Sequence, residues 1–273
     1  MRTLSLVLSL AAASLLAAPA FAAPATVQRL YVMNCGEIYG KDQARWSPGV
    51  NVGQPIELSD NCYLIEHGKQ LLLWDTGVPD AVTKLPNGVE AAGGAIVLKR
   101  SRTLVSELAQ VKVTPDAITY VALSHNHGDH TGNAKLFPHA TFLVQKAEYD
   151  FAYADPAKSP LPADAKVVKL DGDDDVFGDG SVMILSTPGH TPGHQSLLVY
   201  LRKTGPVVLT GDAAHFKDNF VNRRVPGFNS DAAQTVASMD RLDRLAKDLH
   251  AQLWINHDKP TSDAQRHAPK FYD

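Results

Sequence analysis

One short segment, residues 124–130 with the sequence SHNHGDH, constrains this chain more than any other. It directly follows an apolar, β-branched run, Ile118–Leu123, which predicts a strand. Because successive side chains of a strand alternate between its two faces, His125 and His127 point to the same side. Gly128 permits the sharp turn that follows. The segment therefore predicts two imidazoles held together at the end of a strand.

The second half of this segment adds further side chains that can bind a metal. Asp129 and His130 follow the turn and come just before a predicted helix at residues 133–136. Imidazole nitrogens and a carboxylate at this spacing suit a borderline divalent cation such as zinc. The alternative, a polar loop that merely contains three histidines, leaves the similar residues further along the chain unexplained. The segment therefore predicts a metal site.

Four more apolar runs lead into a residue that can bind a metal or support its ligands. Side chains at strand ends are held by the sheet and yet are open to a cleft. We therefore expect these strand ends to converge on the site of the histidine segment. The runs are Leu71–Trp74 before Asp75, Val182–Ser186 before His190, Val207–Thr210 before Asp212, and Gln252–Ile255 before His257.

Taken together, these motifs match a known pattern. The order HxHxDH, TPGH, GD and a late NHD resembles the metallo-β-lactamase superfamily of dinuclear metallohydrolases, and most closely its N-acyl-homoserine lactonases. The likeness extends from about Leu30 to Asp258, and it is particularly close at residues 187–196 (TPGHTPGHQS), 217–220 (KDNF) and 225–228 (VPGF). The resemblance implies a four-layer αββα sandwich, whereas the alternation of strands and helices by itself supports only the α/β class.

The resemblance also implies which residues bind metal. It assigns two divalent ions per chain, expected to be Zn²⁺ although other divalent metals are possible, with Asp212 bridging both. His194 also follows a Pro-Gly pair and competes with His190 for the ligand role; we assign His190, because the family uses the first histidine of this pair. The implied ligands are His125, His127 and His190 for one ion and Asp129, His130 and His257 for the other.

Two more residues are placed near the site by the resemblance. Asp75 matches an aspartate that orients a histidine ligand or supports the site loop. His215 lies three residues after Asp212, where related lactonases commonly carry a tyrosine whose hydroxyl contacts the substrate carbonyl. A neutral imidazole could donate the same hydrogen bond or serve as an acid toward the leaving group. Four other histidines are expected on the surface or in packing: His67, His139, His250 and His267.

The implied activity is hydrolysis of N-acyl-homoserine lactones, which destroys a quorum-sensing signal. A hydroxide that bridges the two metals would attack the carbonyl carbon, and Asp129 could pass a proton to the departing oxygen. A broader lactonase or esterase remains an alternative. A glyoxalase II-type thioesterase is disfavoured because only sixteen residues follow His257, and a metallo-β-lactamase proper is disfavoured by Asp212. The complete ligand set disfavours a non-catalytic metal-binding module.

The first 22 residues have the features of a cleavable signal peptide. Arg2 precedes an apolar stretch at residues 4–18, and Ala20-Phe21-Ala22 is a small-x-small cleavage signal. The apolar stretch is too short to span a membrane. Cleavage after Ala22 would leave one hydrolase domain, residues 23–273, and would change the formal charge from −3 to −4 by removing Arg2. We therefore expect export to the periplasm or the medium.

Composition narrows the possible partners. The mild charge and the absence of lysine or arginine clusters argue against nucleic acid as a partner. The expected partner is therefore a small lactone or ester, with a homodimer possible.

Cys35 and Cys62 could form a disulfide in an exported chain or remain two buried thiols. The acidic run Asp171–Asp175 could bind a cation such as calcium but is interpreted as a solvated turn.

Several secondary-structure elements can be predicted around these motifs. Early strands are expected at Leu30–Met33 and Cys62–Ile65, with turns in residues 34–60 between them. The proline- and glycine-rich segment Gly77–Gly94 suits a lid or lip over a cleft, and Ser101–Val111 suits a helix. The last long helix is expected to begin near Ser230 or Asp231. Its apolar stripe, which should pack on a sheet, consists of Val236, Met239, Leu242, Leu245 and Leu249.

Overall fold

Thirteen strands form two β-sheets in the part of the chain that the computed structural model describes, residues 25–273. The predicted signal peptide, residues 1–22, lies outside this part. The larger sheet contains β1 (Arg29–Gly40), β2 (Ile56–His67), β3 (Gln70–Trp74), β4 (Val89–Ala91), β5 (Ile96–Lys99), β6 (Tyr120–Ala122), β7 (Thr141–Gln145) and β8 (Lys166–Leu170). The smaller sheet contains β9 (Asp174–Asp175), β10 (Val182–Ser186), β11 (Gln195–Leu201), β12 (Gly205–Leu209) and β13 (Gln252–Trp254).

The strand order brings the predicted site residues to one edge of each sheet. The larger sheet has the order β4-β5-β1-β2-β3-β6-β7-β8, and β3, β6, β7 and β8 run parallel. The smaller sheet has the order β13-β12-β11-β10-β9, with β12 and β13 parallel. Parallel strands end at the same edge of a sheet. The residues that follow β3 and β6, and those that follow β12 and β13, are therefore neighbours.

Alternating apolar side chains fill the space between the sheets and cover their outer faces. Leu30 and Val32 of β1 belong to the core between the sheets, whereas Tyr31 and Met33 belong to the cluster on the outer face of the larger sheet. In the smaller sheet, β11 likewise directs Leu197 inward and Leu198 outward. This period-two pattern is what a strand covered on both faces requires.

Helices cover both outer faces. Leu104 and Leu108 of the first helix pack on the larger sheet, and Phe220, Met239 and Leu242 of two later helices pack on the smaller sheet. The predicted four-layer αββα fold is therefore confirmed. No helix among residues 25–273 is long and apolar enough to cross a membrane. The α-helices of the described residues are α1 (Leu104–Gln110), α2 (Gly128–Thr131), α3 (Lys146–Glu148), α4 (Lys217–Asn222), α5 (Ala232–Leu249) and α6 (Lys259–Ala264).

Two local predictions were wrong. Much of the predicted turn region, residues 34–60, is strand, because β1 and β2 remain paired out to Gly40 and Ile56. Polar residues at the end of this region are buried and bonded to distant groups; the Ser59 hydroxyl, for example, donates a 2.7 Å hydrogen bond to the Asn256 carbonyl. The predicted helix at residues 133–136 is a single 3₁₀ turn, and the preceding helix α2 itself carries Asp129 and His130.

Cys35 and Cys62 form a disulfide between β1 and β2. Cys62 is the partner of Met33 in the antiparallel ladder, and a bulge between Asn34 and Gly36 brings Cys35 within reach, with the two Cα atoms 5.6 Å apart. Both cysteines are fully buried. The structure thus favours the first of the two alternatives that the sequence left open.

Candidate metal centre

The seven residues predicted as metal ligands lie together at the ends of the strands. They form two groups whose potential ligand atoms lie within 4.8 Å of one another. The first group combines side chains from both sheets, and the second joins helix α2 to the turn after β13. The groups are His125, His127, His190 and Asp212, and Asp129, His130 and His257.

The Asp212 carboxylate lies between the two groups. Its Oδ2 atom is 3.4 Å from His190 Nε2 and 3.8 Å from His125 Nε2. Its Oδ1 atom is 3.3 Å from His130 Nε2 and 3.1 Å from His257 Nε2. One oxygen thus faces each group, which is the arrangement that a bridging carboxylate needs.

In the first group, three imidazole nitrogens converge on one point. His190 Nε2 is 3.2 Å from His125 Nε2 and 3.1 Å from His127 Nδ1. The other ring nitrogen of His190 contacts Asn229 Oδ1 at 2.9 Å, and that of His125 contacts Ser124 Oγ at 3.0 Å. A His190 ring that donates from Nδ1 presents a lone pair at Nε2. A cation among these nitrogens would remove the repulsion between facing lone pairs.

In the second group, hydrogen bonds also orient the rings. His130 Nδ1 donates to the Asp75 carboxylate at 2.9 Å, and His257 Nδ1 donates to the Ser59 carbonyl at 2.6 Å. Asp75 also accepts a 2.7 Å bond from the Ser124 amide. The Nε2 atoms of both rings therefore face the Asp129 carboxylate, at 3.9 and 3.8 Å. Partners of this kind fix the tautomer of a metal-binding histidine.

Unpartnered buried atoms show that the donor set fits a metal. Among the described residues, His130 Nε2, His257 Nε2 and Asp212 Oδ1 are buried and have no hydrogen-bond partner. Buried polar atoms are ordinarily paired, because an unpaired one costs about 1–3 kcal/mol. These three atoms point at one another. Imidazoles and carboxylates in this arrangement are the ligands of zinc-like divalent ions, so the residues fit such ions.

The electrostatics favour positive charge in the centre. Burial alone would raise the pKa of Asp212, but His257 and His130 hold it well below its ordinary value, so the carboxylate stays ionised. Burial works against protonation of His257, yet Asp212 raises its pKa to about 9. Burial keeps the pKa of His125 and His190 well below the ordinary value. The first group therefore presents neutral imidazoles beside a fixed negative charge.

His194, the competitor of His190, lies beneath the centre. Its Nδ1 donates to the Thr187 carbonyl at 2.9 Å, and its Nε2 accepts a 2.9 Å bond from the Asp212 amide. Both ring nitrogens are therefore occupied, and burial lowers the pKa of His194 to about 4. His190, in contrast, directs Nε2 into the centre. The geometry supports the assignment of His190 and gives His194 the task of holding the Asp212 backbone.

The chain is similar to known proteins. A sequence model of the metallo-beta-lactamase superfamily matches residues 56–249. The N-acyl homoserine lactonase AttM of Azorhizobium caulinodans is 32% identical over 263 residues, 90% of this chain and 98% of that protein. The AttM lactonase of Rhizobium radiobacter is 36% identical over 262 residues, 89% of this chain and 98% of that protein.

The chain belongs to the metallo-beta-lactamase superfamily, and within it to the N-acyl homoserine lactonases. This confirms the resemblance inferred from its motifs. A solved N-acyl homoserine lactone hydrolase, which has the product N-hexanoyl-L-homoserine at its catalytic metal centre, superimposes with a TM-score of 0.80. It is 30% identical and covers 90% of this chain and 100% of its own. This chain therefore has both the fold of the family and the two groups of candidate metal ligands.

A cavity of about 400 Å³ opens onto the centre of this lactonase-family chain. Asp129, Asp212 and His257 line its floor, and His215 lies beside them with Nε2 3.2 Å from Asp212 Oδ2. A larger groove of about 890 Å³ lies elsewhere on the surface, but none of the seven candidate ligands lines it. Apolar side chains form the walls of the smaller cavity: Ile38, Trp46, Ile96, Leu98 and Phe228.

The predicted lip, Gly77–Gly94, is more ordered than its composition suggested. It contains β4, which pairs with β5, and its Ala91 and Ala92 line the cavity.

The acidic run Asp171–Asp175 has partners within the protein: Asp175 accepts hydrogen bonds from the Gly178 and Gly180 amides, and Asp173 pairs with Arg241. The expected solvated turn is therefore only partly correct, because the run ends in β9, where Asp174 and Asp175 are half-buried and pair with β10.

One buried carboxylate near the centre was missed by the sequence analysis. Glu148 in α3 is 1% exposed and accepts hydrogen bonds from the Asn126 amide, the Thr191 hydroxyl and the Gly193 amide. Burial raises its pKa, although these donors oppose the shift. The only signal in the sequence is its position just beyond the end of β7, where the strand pattern places polar residues near the site.

Proposed function

We propose that this protein is a metal-dependent hydrolase that opens the lactone ring of N-acyl-homoserine lactones. The observation that carries the proposal is the Asp212 carboxylate, which presents one oxygen to each of two groups of candidate ligands beside a cavity. The named activity of its relatives, which align over nearly their whole length, supports the same conclusion.

The proposed cofactor is a pair of zinc ions. His125, His127 and His190 would hold one ion, Asp129, His130 and His257 would hold the other, and Asp212 would touch both. The chemistry that such a pair would supply when bound is a hydroxide nucleophile at neutral pH and polarisation of the lactone carbonyl. Asp75 and the Ser59 carbonyl keep the rings of the second group in the tautomer that binding needs.

The residues around the cavity are suited to the two parts of the substrate. The apolar walls, which include Trp46 and Phe228, suit an acyl chain, since burial of apolar surface favours binding. The polar floor suits the lactone. Asp129 is partly exposed at the cavity, so its carboxylate can pass a proton to the departing ring oxygen. His215 lies where it can contact the substrate.

A substrate panel tests the proposal. Zinc-loaded protein should convert N-acyl-homoserine lactones to the ring-opened N-acyl-homoserines, detected by mass spectrometry, faster than an aryl ester, a thioester or a β-lactam. Asp212→Ala removes the group between the two ligand sets and should lower turnover by at least about 10²-fold. A clear preference for the aryl ester would favour the broader esterase, and normal turnover by Asp212→Ala would contradict the bridging role.

We further propose that the protein is exported after cleavage following Ala22. The signal-like features of residues 1–22 and the Cys35–Cys62 disulfide support this proposal, because disulfides persist mainly in oxidising compartments. Protein recovered from the periplasm or medium should begin at Ala23 on N-terminal sequencing. Full-length protein retained in the cytoplasm would contradict it. The possible homodimer stays a prediction.

A further inference from the structure

Three donors on two separate loops converge on the Glu148 carboxylate. Oε1 accepts a 2.9 Å bond from the amide of Asn126, the residue between His125 and His127. Oε2 accepts a 2.7 Å bond from the hydroxyl of Thr191, the residue after His190. Oε2 also accepts a 2.9 Å bond from the Gly193 amide. Each oxygen of this one side chain therefore holds a different loop.

The two loops carry all three histidines of the first ligand group. His125 and His127 flank one contact, and His190 adjoins the other. The loop that follows His190 approaches α3 so closely that a Cβ atom on Gly193 would lie 2.2 Å from the Glu148 amide nitrogen. The site thus places a buried carboxylate where it sets the separation between His127 and His190, whose ring nitrogens are 3.1 Å apart.

The second ligand group is held by other residues. His130 is bonded to Asp75, and His257 is bonded to the Ser59 carbonyl. The three hydrogen bonds of the Glu148 carboxylate go to neither of these histidines. A change at Glu148 should therefore act on the first group more than on the second.

We propose that Glu148 is a positioning residue that sets the geometry of the His125, His127 and His190 group and thereby its affinity for metal. The inference rests on the metal site proposed above. Both carboxylate oxygens of Glu148 act as acceptors. A glutamine keeps one accepting oxygen and replaces the other with an NH₂ group that donates. The hydrogen-bond donor of one loop would then face another donor and lose its acceptor. Loss of a partner that orients metal ligands typically weakens metal affinity by about 10–100-fold.

The test is the metal affinity of each ligand group in zinc-loaded mature protein. Glu148→Gln should release one zinc ion to a competing chelator at least about tenfold more readily than wild type and keep the other. Long-range ¹H–¹⁵N NMR of the histidine rings identifies the emptied group. The signals of His125, His127 and His190 should revert to their metal-free positions while those of His130 and His257 stay.

Three further variants sharpen the experiment. Glu107→Gln changes another buried glutamate, which is bonded to Gln110 away from the centre, and should leave both ions bound as in wild type. Asp75→Asn should give the reverse pattern, with weakened binding at His130. Thr191→Val removes only one of the three bonds, so it should weaken the first group less and provides the test if Glu148→Gln does not fold.

Unchanged zinc release from Glu148→Gln, or equal weakening of both groups, would overturn the positioning role. Selective loss from the first group, together with normal behaviour of Glu107→Gln, would support it. These measurements use no substrate. A failure of the lactonase proposal would appear only in the substrate panel, and a failure of this inference would appear only in the distribution of zinc between the two groups.

Discussion

At the scale of single residues, His215 is the position at which the resemblance to the lactonases implies a tyrosine. The ring is buried, stacks on His257 with ring centroids 5.5 Å apart, and contacts Asp212 through Nε2. Its Nδ1 has no hydrogen-bond partner among the described residues. A neutral ring that donates from Nε2 to Asp212 presents a lone pair at Nδ1. It can therefore donate to a substrate carbonyl only after the contact with Asp212 is released or the ring is protonated.

Replacing His215 tests whether it contacts the substrate. His215→Ala should lower turnover of an N-acyl-homoserine lactone by roughly 10²-fold, the effect of losing one donor to developing charge, with two zinc ions still bound. His215→Tyr should retain much more activity. Burial lowers the pKa of His215, so the added ionisation in the wild-type rate profile should lie below pH 6.5.

The alanine and tyrosine variants, measured with zinc content and pH profile, separate the two possible roles. If His215→Ala and wild type have the same turnover and matching pH profiles, the histidine only lines the cavity, and the analogy with the tyrosine fails.

His194 should make folding stability depend on pH. Burial depresses its pKa from 6.5 to about 4 in the folded state. As the pH falls below 6.5 the unfolded chain takes up the proton first, so stability is lost between about pH 6.5 and pH 4, and it is constant above that range. The pKa difference between the unfolded and the folded state corresponds to a loss of about 3 kcal/mol at most in the free energy of unfolding.

The matched variant is His194→Gln, whose side chain can keep a hydrogen bond to the Asp212 amide but does not titrate. Urea unfolding of chelator-treated protein from pH 7.5 to pH 4 should show a shallower decline for this variant than for wild type. Parallel curves would mean that the buried ring is not kept neutral as the structure indicates.

At the scale of secondary-structure elements, the sequence could predict where strands end but not how far they extend. The apolar runs before His125, His190, Asp212 and His257 were visible because each one is short, buried and followed by a polar motif. The outer halves of β1 and β2 were not visible, because buried polar residues such as Asn61 are satisfied by Asn256, almost 200 residues away in the chain. Only the folded structure shows such a pair.

For the site too, the sequence could reveal residues in local motifs but not residues that are paired with distant parts of the chain. Seven candidate ligands could be named because they stand in motifs that match the family pattern. Glu148 could not be named, because its partners are two backbone amides and one hydroxyl on loops from both halves of the chain. The apolar walls of the cavity could likewise not be predicted, because Ile38, Ile96 and Leu98 line the same cavity as Phe228 only after β5 pairs with β1.

Helix α5 offers a test of one local prediction. The sequence left Ser230 and Asp231 as alternative N-caps, and the structure shows the Asp231 side chain accepting a 2.9 Å bond from the Gln234 amide. Asp231→Ala should therefore lower the free energy of unfolding by about 1 kcal/mol. Ser230→Ala is the control and should be nearly neutral. Equal effects of the two substitutions in thermal unfolding would contradict the cap assignment.

At the scale of the whole molecule, the proposed metals connect the two halves of the sandwich. The larger sheet and α2 supply His125, His127, Asp129 and His130, whereas the residues after β10, β12 and β13 supply the other three ligands. Ions that bind only the folded chain should stabilise it as a unit. Free zinc at about 1,000 times its dissociation constant would contribute about 4 kcal/mol.

Removing metal should therefore lower the melting temperature. Thermal unfolding of the mature protein with and without a chelator measures the effect, and readdition of zinc should restore the higher value. Chelator-treated Asp212→Ala is the control, since its melting temperature should rise less when zinc is added back. A melting temperature that zinc does not change would show that the two halves are held together without the ions.

The most direct test of the account is a titration of metal-free protein with zinc, followed by opening of an N-acyl-homoserine lactone. The arrangement of two ligand groups about Asp212 predicts that the rate rises to a plateau at two equivalents of zinc per chain. Full activity in the metal-free protein, or a plateau at one equivalent, would contradict a lactonase that works with two metal ions.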